Sequence, residues 1–160
     1  MACALALVSL ALGCQPRGPG ARGDADAGSG SMGGVRVPLP EGWVASADGP
    51  EALVLGPPGR AVMRIERRSG GRLPRLADLR SAFSEQVEDA RAITLEEREA
   101  DDGVVWRARL EPAGSRGTRG PTVLLAARRL GADVLLCASI PGASDAEVEA
   151  AARACEGLSP

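Results

Sequence analysis

The stretch "TVLLAARRLGADVLLCASI" (residues 122–140) carries the strongest fold signal in the chain. Two apolar runs of strand length flank the turn sequence "LGAD" (130–133). Each run is apolar on both of its faces, a pattern typical of central strands that are covered from two sides. The stretch therefore predicts a hairpin in the middle of a β-sheet, with further elements packed on both faces of that sheet.

Strand patterns also precede this stretch. "VRVPL" (35–39) alternates apolar and other residues, and "EALVL" and "AVMRIE" flank the turn sequence "GPPG" (56–59). "AITLEERE" (92–99) and "VVWRARLE" (104–111) surround "ADDG" as a further hairpin. In its second arm one face carries four apolar side chains: Val104, Trp106, Ala108 and Leu110.

Two segments have helical periodicity. Residues 73–90 carry an apolar stripe at spacings of three and four, with Pro74 suited to the first turn. Residues 145–157 predict a second helix, in which Ser144 is the N-cap and Glu147 completes a capping box. The predicted order is β-β-β-α-β-β-β-β-α. This order indicates one α+β domain over residues 35–160, an antiparallel β-sheet with two helices packed on it.

Composition restricts the chemistry. The 160 residues include 19 basic and 21 acidic side chains, a net charge of −2, so nothing points to a nucleic-acid partner. Every basic residue is Arg, and the chain has no Lys, His, Tyr or Asn. Histidine-based catalysis, imidazole metal ligands and Schiff-base lysines are therefore excluded. We predict no catalytic residues, no cofactor and no metal.

The N-terminal segment resembles an export signal. Residues 1–13, "MACALALVSLALG", are too short to span a bilayer but match the apolar region of a signal peptide. No basic residue precedes them, so either the signal is atypical or the true translation start lies further upstream, and we favour the second explanation. Residues 14–34 are rich in Gly and Pro and are predicted to form a flexible tether.

The sequence "ALGC" (11–14) resembles the bacterial lipobox, whose cysteine becomes the acylated first residue. Lipidation of Cys14 would anchor the chain to a membrane, and Gln15 after it favours the outer membrane, facing the periplasm. Ordinary signal cleavage at the same "ALG" is the alternative. The expected address is the bacterial cell envelope.

Cysteine parity predicts a disulfide. Cys3 leaves with the signal and Cys14 is blocked by the lipid, so Cys137 and Cys155 remain. They lie in the last strand and on the inward stripe of the last helix, where an oxidising compartment favours a bridge worth roughly 3 kcal/mol. Two buried free thiols are the alternative.

Two charged clusters are candidate sites. One is a possible anion-binding patch for an acidic envelope partner or an anionic polymer, the alternative being a solvated surface of mixed charge; its residues are Arg64, Arg67, Arg68, Arg72 and Arg75. The other is acidic and is interpreted as a solvated hairpin edge rather than a calcium site; its residues are Glu96, Glu97, Glu99, Asp101 and Asp102. Trp43, Trp106 and Phe83 are expected to anchor the core.

The element order, with "VPLPEGW" (37–43) and "LPRLADLRSAFSEQV" (73–87), resembles the PsbP-like superfamily. The resemblance covers residues 35–158 and implies an αβα sandwich around an antiparallel sheet. It also implies an accessory or binding role without universal catalytic residues. Three hypotheses remain: a lipid-anchored binding or accessory module, a small carboxylate- or dithiol-based enzyme, and a structural protein that binds anionic polymers through an Arg-rich face.

Overall fold

The computed structural model describes residues 29–84, 90–112 and 120–160. Within them, seven strands form an antiparallel sheet in the order β3-β4-β5-β9-β8-β7-β6. These strands are β3 (Val44–Ala47), β4 (Ala52–Gly56), β5 (Met63–Ser69), β6 (Ala90–Ala100), β7 (Gly103–Pro112), β8 (Thr122–Leu130) and β9 (Asp133–Ser139). The apolar hairpin β8–β9 occupies the interior of the sheet, as its sequence predicted. The expected α+β class with an antiparallel sheet and two helices is confirmed.

Helix α2 (Asp145–Glu156) covers one side of the sheet, which we call the α2 face. Its N-terminus is the expected capping box, in which the Glu147 backbone N–H donates to Ser144 Oγ and the Ser144 backbone N–H donates to Glu147 Oε2. Val148, Ala151 and Cys155 of the helix are buried with Ile65, Leu124, Leu135 and other sheet side chains. The larger hydrophobic core therefore lies between α2 and the middle of the sheet.

Helix α1 (Leu76–Ser84) covers part of the other side, the α1 face. A smaller core forms there from Val104, Ala127 and Val134, against which Leu76 and Leu79 pack. Trp106 is 2% exposed on this face, and Phe83 meets it edge-on with ring centroids 5.2 Å apart. Trp43 is partly buried against the larger core.

The first helix is shorter than the periodicity predicted. It begins at Leu76, two residues beyond Pro74, and the Asp78 carboxylate accepts a hydrogen bond from the backbone N–H of Arg75, the residue just before the helix. Ala90, expected in the helical stripe, is instead the first residue of β6 and pairs with Pro112. Val87 of the expected stripe lies outside the described residues.

Two strands were not predicted, namely β3 and the first strand, β1, whereas the strand that pairs with β1 was predicted. β1 (Ser29–Met32) pairs with β2 (Val35–Pro38) in a separate two-stranded sheet, so the expected tether boundary at residue 34 is too late. The reason is burial: Met32 is 5% exposed and joins the larger core, which a tether side chain would not do. On the other side of β2, Arg36 exchanges backbone hydrogen bonds with Ser159, at 2.7 and 3.2 Å.

Candidate functional site

A groove opens between the C-terminal half of α2 and strands β7 and β8, with a volume of about 370 Å³. We call it the α2 groove. Its floor is apolar and consists of Val105, Leu124, Ala126, Ala152 and Cys155. The first three are less than 10% exposed, so the floor is part of the larger core. The groove exists because α2 packs over β8 and leaves β7 uncovered beside it.

Charged side chains form the rim of the α2 groove. Arg98 of β6 pairs with the Glu156 carboxylate at the end of α2, across the mouth. Arg128 of β8 donates from Nη1 to the Glu156 backbone carbonyl, and its Nη2 lies 3.6 Å from Asp102 Oδ2. The cationic rim is favourable there because the carbonyl end of a helix carries partial negative charge.

The expected disulfide is present directly beneath this groove. The Sγ atoms of Cys137 and Cys155 are bonded, and each residue is 1% exposed. A thiol reagent or a partner dithiol has no access to sulfur atoms buried to this degree. The burial is that of a structural bond, which makes a dithiol redox activity unfavourable for this pair.

The predicted Arg patch does not form one surface. Arg64 and Arg68 lie on the α1 face and both bond to Glu66, whereas Arg67 points to the α2 face and pairs with Glu51. Partial burial alone would raise the pKa of Glu66, but the hydrogen bonds from Arg64 and Arg68 outweigh it and lower the pKa. Three of the five cations are therefore neutralised by their neighbours.

The two remaining members, Arg72 and Arg75, are exposed between β5 and α1. No carboxylate of the described residues lies in ion-pair range of either guanidinium. The cations that are open to an anionic partner are thus these two, rather than the full set of five.

The acidic hairpin is a network of ion pairs. Glu97 and Glu99 share the α1 face, where they contact Arg80 and the Leu76 backbone N–H, and Glu96 on the other face pairs with Arg107. Glu96 and Glu97 point to opposite sides because successive side chains of a strand alternate between its two faces. Among the described residues, no three His, Cys, Asp or Glu side chains are placed to hold a metal ion.

Two further observations concern the membrane anchor. Cys14 lies outside the described residues, so its lipidation stays a prediction. No helix in the described segments is long and apolar enough to cross a bilayer.

Comparison with known proteins yields fold likeness alone. No protein-family model matches the chain, and no curated protein matches it. The solution structure of cyanobacterial PsbP (CyanoP) from Synechocystis sp. PCC 6803 is similar, with a TM-score of 0.47, 14% identity, and coverage of 89% of this chain and 96% of that one.

A crystal structure from Bacteroides thetaiotaomicron VPI-5482 is also similar, with a TM-score of 0.42 and 18% identity. The alignment covers 80% of this chain and 46% of that protein, so this chain spans less than half of it. Both likenesses are limited to the backbone and carry no information on the function of this chain.

Sequence reasoning missed the α2 groove altogether. Its rim residues Arg98, Asp102, Arg128 and Glu156 come from four different elements, and its floor consists of ordinary core side chains. No single motif marks the groove: of its lining residues, Cys155 was predicted only as half of a disulfide and Asp102 only as part of a solvated hairpin edge.

Proposed function

We propose that this protein is an exported envelope lipoprotein that acts as a non-catalytic binding or accessory module. In this proposal Cys14 carries the lipid and holds the domain at the outer membrane, facing the periplasm. The observation that carries the proposal is the Cys137–Cys155 disulfide. Structural disulfides form and persist in oxidising compartments, and a buried bond between β9 and α2 is what an exported domain of this size uses for stability.

The non-catalytic part of the proposal rests on chemistry. The chain has neither His nor Lys, and three of the five carboxylates of the acidic hairpin, Glu97, Glu96 and Asp102, are paired with Arg80, Arg107 and Arg128. A carboxylate on an open strand whose oxygens already contact a guanidinium is a poor general acid or base, because water surrounds it and its partner occupies the oxygens that a substrate would need. The α2 groove supplies a concave surface that suits binding.

A structural protein that binds anionic polymers is the second candidate. The observation in its favour is the exposed pair Arg72 and Arg75, which lie outside every ion pair of the described chain. Retention on an anionic polymer that falls steeply with salt, and that is lost in Arg72→Gln/Arg75→Gln, would support it. Retention that does not change with salt concentration would exclude this second candidate.

The test of the main proposal is metabolic labelling with a fatty acid in a bacterial host. The wild-type chain and Cys3→Ser should incorporate label, since Cys3 lies in the signal that is removed. Cys14→Ser should incorporate none, and the protein should leave the membrane fraction. Density-gradient separation of inner and outer membranes then shows in which membrane the protein is located. Labelled Cys14→Ser, or an unlabelled wild-type chain that is nevertheless exported, would overturn the anchor.

A further inference from the structure

The α2 groove has the dimensions of a small-molecule site. Its volume of about 370 Å³ lies at the lower end of the range of roughly 300–1,000 Å³ that is typical of ligand pockets. Leu124 and Ala126 of the floor are 0% and 3% exposed, and they are fixed in β8, one of the interior strands. A rigid apolar floor favours a ligand with an apolar body, because burying that body requires no rearrangement of the sheet.

The depth of the rim charges decides the sign of the ligand's head group. Arg128 is the most buried charged side chain of the rim, at 25% exposure, whereas Asp102 is 70% exposed. The charge closest to the apolar floor is therefore positive. A guanidinium has five N–H donors and binds a carboxylate through two parallel hydrogen bonds, and the two contacts of Arg128 leave further donors available.

The ion pair across the mouth is one that a ligand can replace. Arg98 and Glu156 are 55% and 46% exposed, and exposed pairs of this kind contribute little to stability because solvent screens them. A carboxylate whose apolar body lies in the groove would exchange with the Glu156 side chain at little cost. Glu156 then turns to solvent, while its backbone carbonyl keeps the contact with Arg128.

We propose that the α2 groove binds a small amphiphile that has an apolar body and a single carboxylate, with Arg128 and Arg98 holding the carboxylate. The ligand class rests on the proposed binding function and makes it specific. An alkyl ammonium is disfavoured because it would place a cation beside Arg128. A neutral alcohol of the same length fills the floor but leaves both guanidiniums with their present partners.

Calorimetric titration of the full chain, carrying Cys14→Ser so that no acyl group or detergent competes, tests the proposal with octanoate, octanol and octylamine. Octanoate should bind at least about tenfold more tightly than octanol, the ratio expected from a hydrogen bond to a charged group. Octylamine should bind more weakly than octanol. Equal binding of octanoate and octanol would overturn the carboxylate recognition.

Three variants locate the site. Ala152→Leu enlarges a side chain that forms part of the floor, so it fills space that the ligand needs and should weaken octanoate binding at least about tenfold. Ala146→Leu is the matched control, since it is the same change at an exposed position of the same helix, outside the groove. Arg98→Gln lies at an exposed site, so the fold is kept, and it should lower the preference for octanoate over octanol.

The outcomes separate this inference from the proposed function. Octanoate binding that Ala152→Leu and Arg98→Gln leave unchanged would place the ligand elsewhere and overturn the groove assignment. Absence of octanoate binding would overturn the ligand class. It would leave the proposed lipid anchor untouched, because fatty-acid labelling at Cys14 tests that anchor separately. Circular dichroism of each variant confirms that a lost signal reflects the site rather than unfolding.

Discussion

The Cα atoms of Cys137 and Cys155 lie 6.3 Å apart across their disulfide, so the last turn of α2 is covalently attached to the central strand β9. The bridge closes a loop that contains α2 from Asp145 to Cys155. Replacing both cysteines by Ser should lower the free energy of unfolding by about 3 kcal/mol, because the unfolded chain regains the entropy of the open loop. Urea denaturation measures the change.

A reduction experiment complements the double variant. The native protein should keep its disulfide in millimolar reductant, since both residues are 1% exposed, and should lose it once urea unfolds the domain. Alkylation followed by mass spectrometry reads the outcome. Rapid alkylation of Cys155 under native conditions would contradict the structural role and favour a redox one.

The turn between β1 and β2 offers a matched pair of glycines. Gly33 and Gly34 have φ angles of +56° and +85°, so Ala at either position should cost about 1 kcal/mol from the left-handed backbone. A Cβ at Gly33 would also collide with the Arg67 guanidinium, which donates to the Gly33 carbonyl at 3.2 Å and pairs with Glu51. Gly34 faces open space.

Gly33→Ala should therefore be less stable than Gly34→Ala, because only the Cβ at position 33 displaces the Arg67 contacts. Thermal or urea denaturation of the two variants gives the difference directly. Equal stabilities would show that Arg67 moves aside without loss.

Trp106 on β7 has a single hydrogen-bond partner among the described contacts. Its Nε1–H donates to Thr94 Oγ1 at 3.3 Å, while the residue is only 2% exposed. Thr94→Val should destabilise the domain by about 1 kcal/mol, because the indole loses its acceptor. Thr94→Ser keeps the hydroxyl and should recover most of that loss; if both variants unfold at the same urea concentration, the hydrogen bond contributes nothing.

Glu66 makes the free energy of unfolding depend on pH in the acid range. Its hydrogen bonds with Arg64 and Arg68 lower its folded-state pKa, although partial burial opposes them. A lowered folded pKa means that this carboxylate stabilises the domain above its unfolded value of about 4.3, and that the stabilisation is lost as pH falls through the folded value.

Glu66→Gln should thus cost about 0.5–1 kcal/mol at neutral pH, a figure kept small because the pair is partly solvated. The stability of wild type should fall towards that of the variant below pH about 4. Asp101→Asn, the same change in an exposed turn, is the control and should follow the wild-type curve. A constant gap between wild type and Glu66→Gln down to the lowest pH would contradict the linkage.

Local sequence signals predicted the parts of the fold that local interactions determine. The β8–β9 hairpin and the Ser144–Glu147 capping box are specified by neighbouring residues, and both are present. β1 was missed because "SGSM" (29–32) has little strand character, and its order comes from pairing with β2 and burying Met32. β3 was missed because it is short and mostly exposed.

The site was harder to predict than the fold. Of the five arginines that are close in sequence, three alternate across the two sides of β5 and two follow the strand, so proximity along the chain did not make them a surface. Arg98 and Arg128, which are distant in sequence, meet at Glu156 because the sheet order places β6, β7 and β8 side by side next to the end of α2. Only tertiary structure brings those charges together.

Arg36 of β2 pairs with Ser31 of β1 on one side and with Ser159 on the other. The first and the last described segments therefore both lie beside β2. A circular permutant is therefore feasible, because the two ends of the described domain are close together. A short linker from residue 160 to residue 29, with new termini opened in the exposed turn at Pro57–Arg60, would leave each strand pairing in place. The pairing of β4 with β5, a local hairpin in the natural order, would then join the two ends of the chain, and the permutant should fold more slowly than the natural order does.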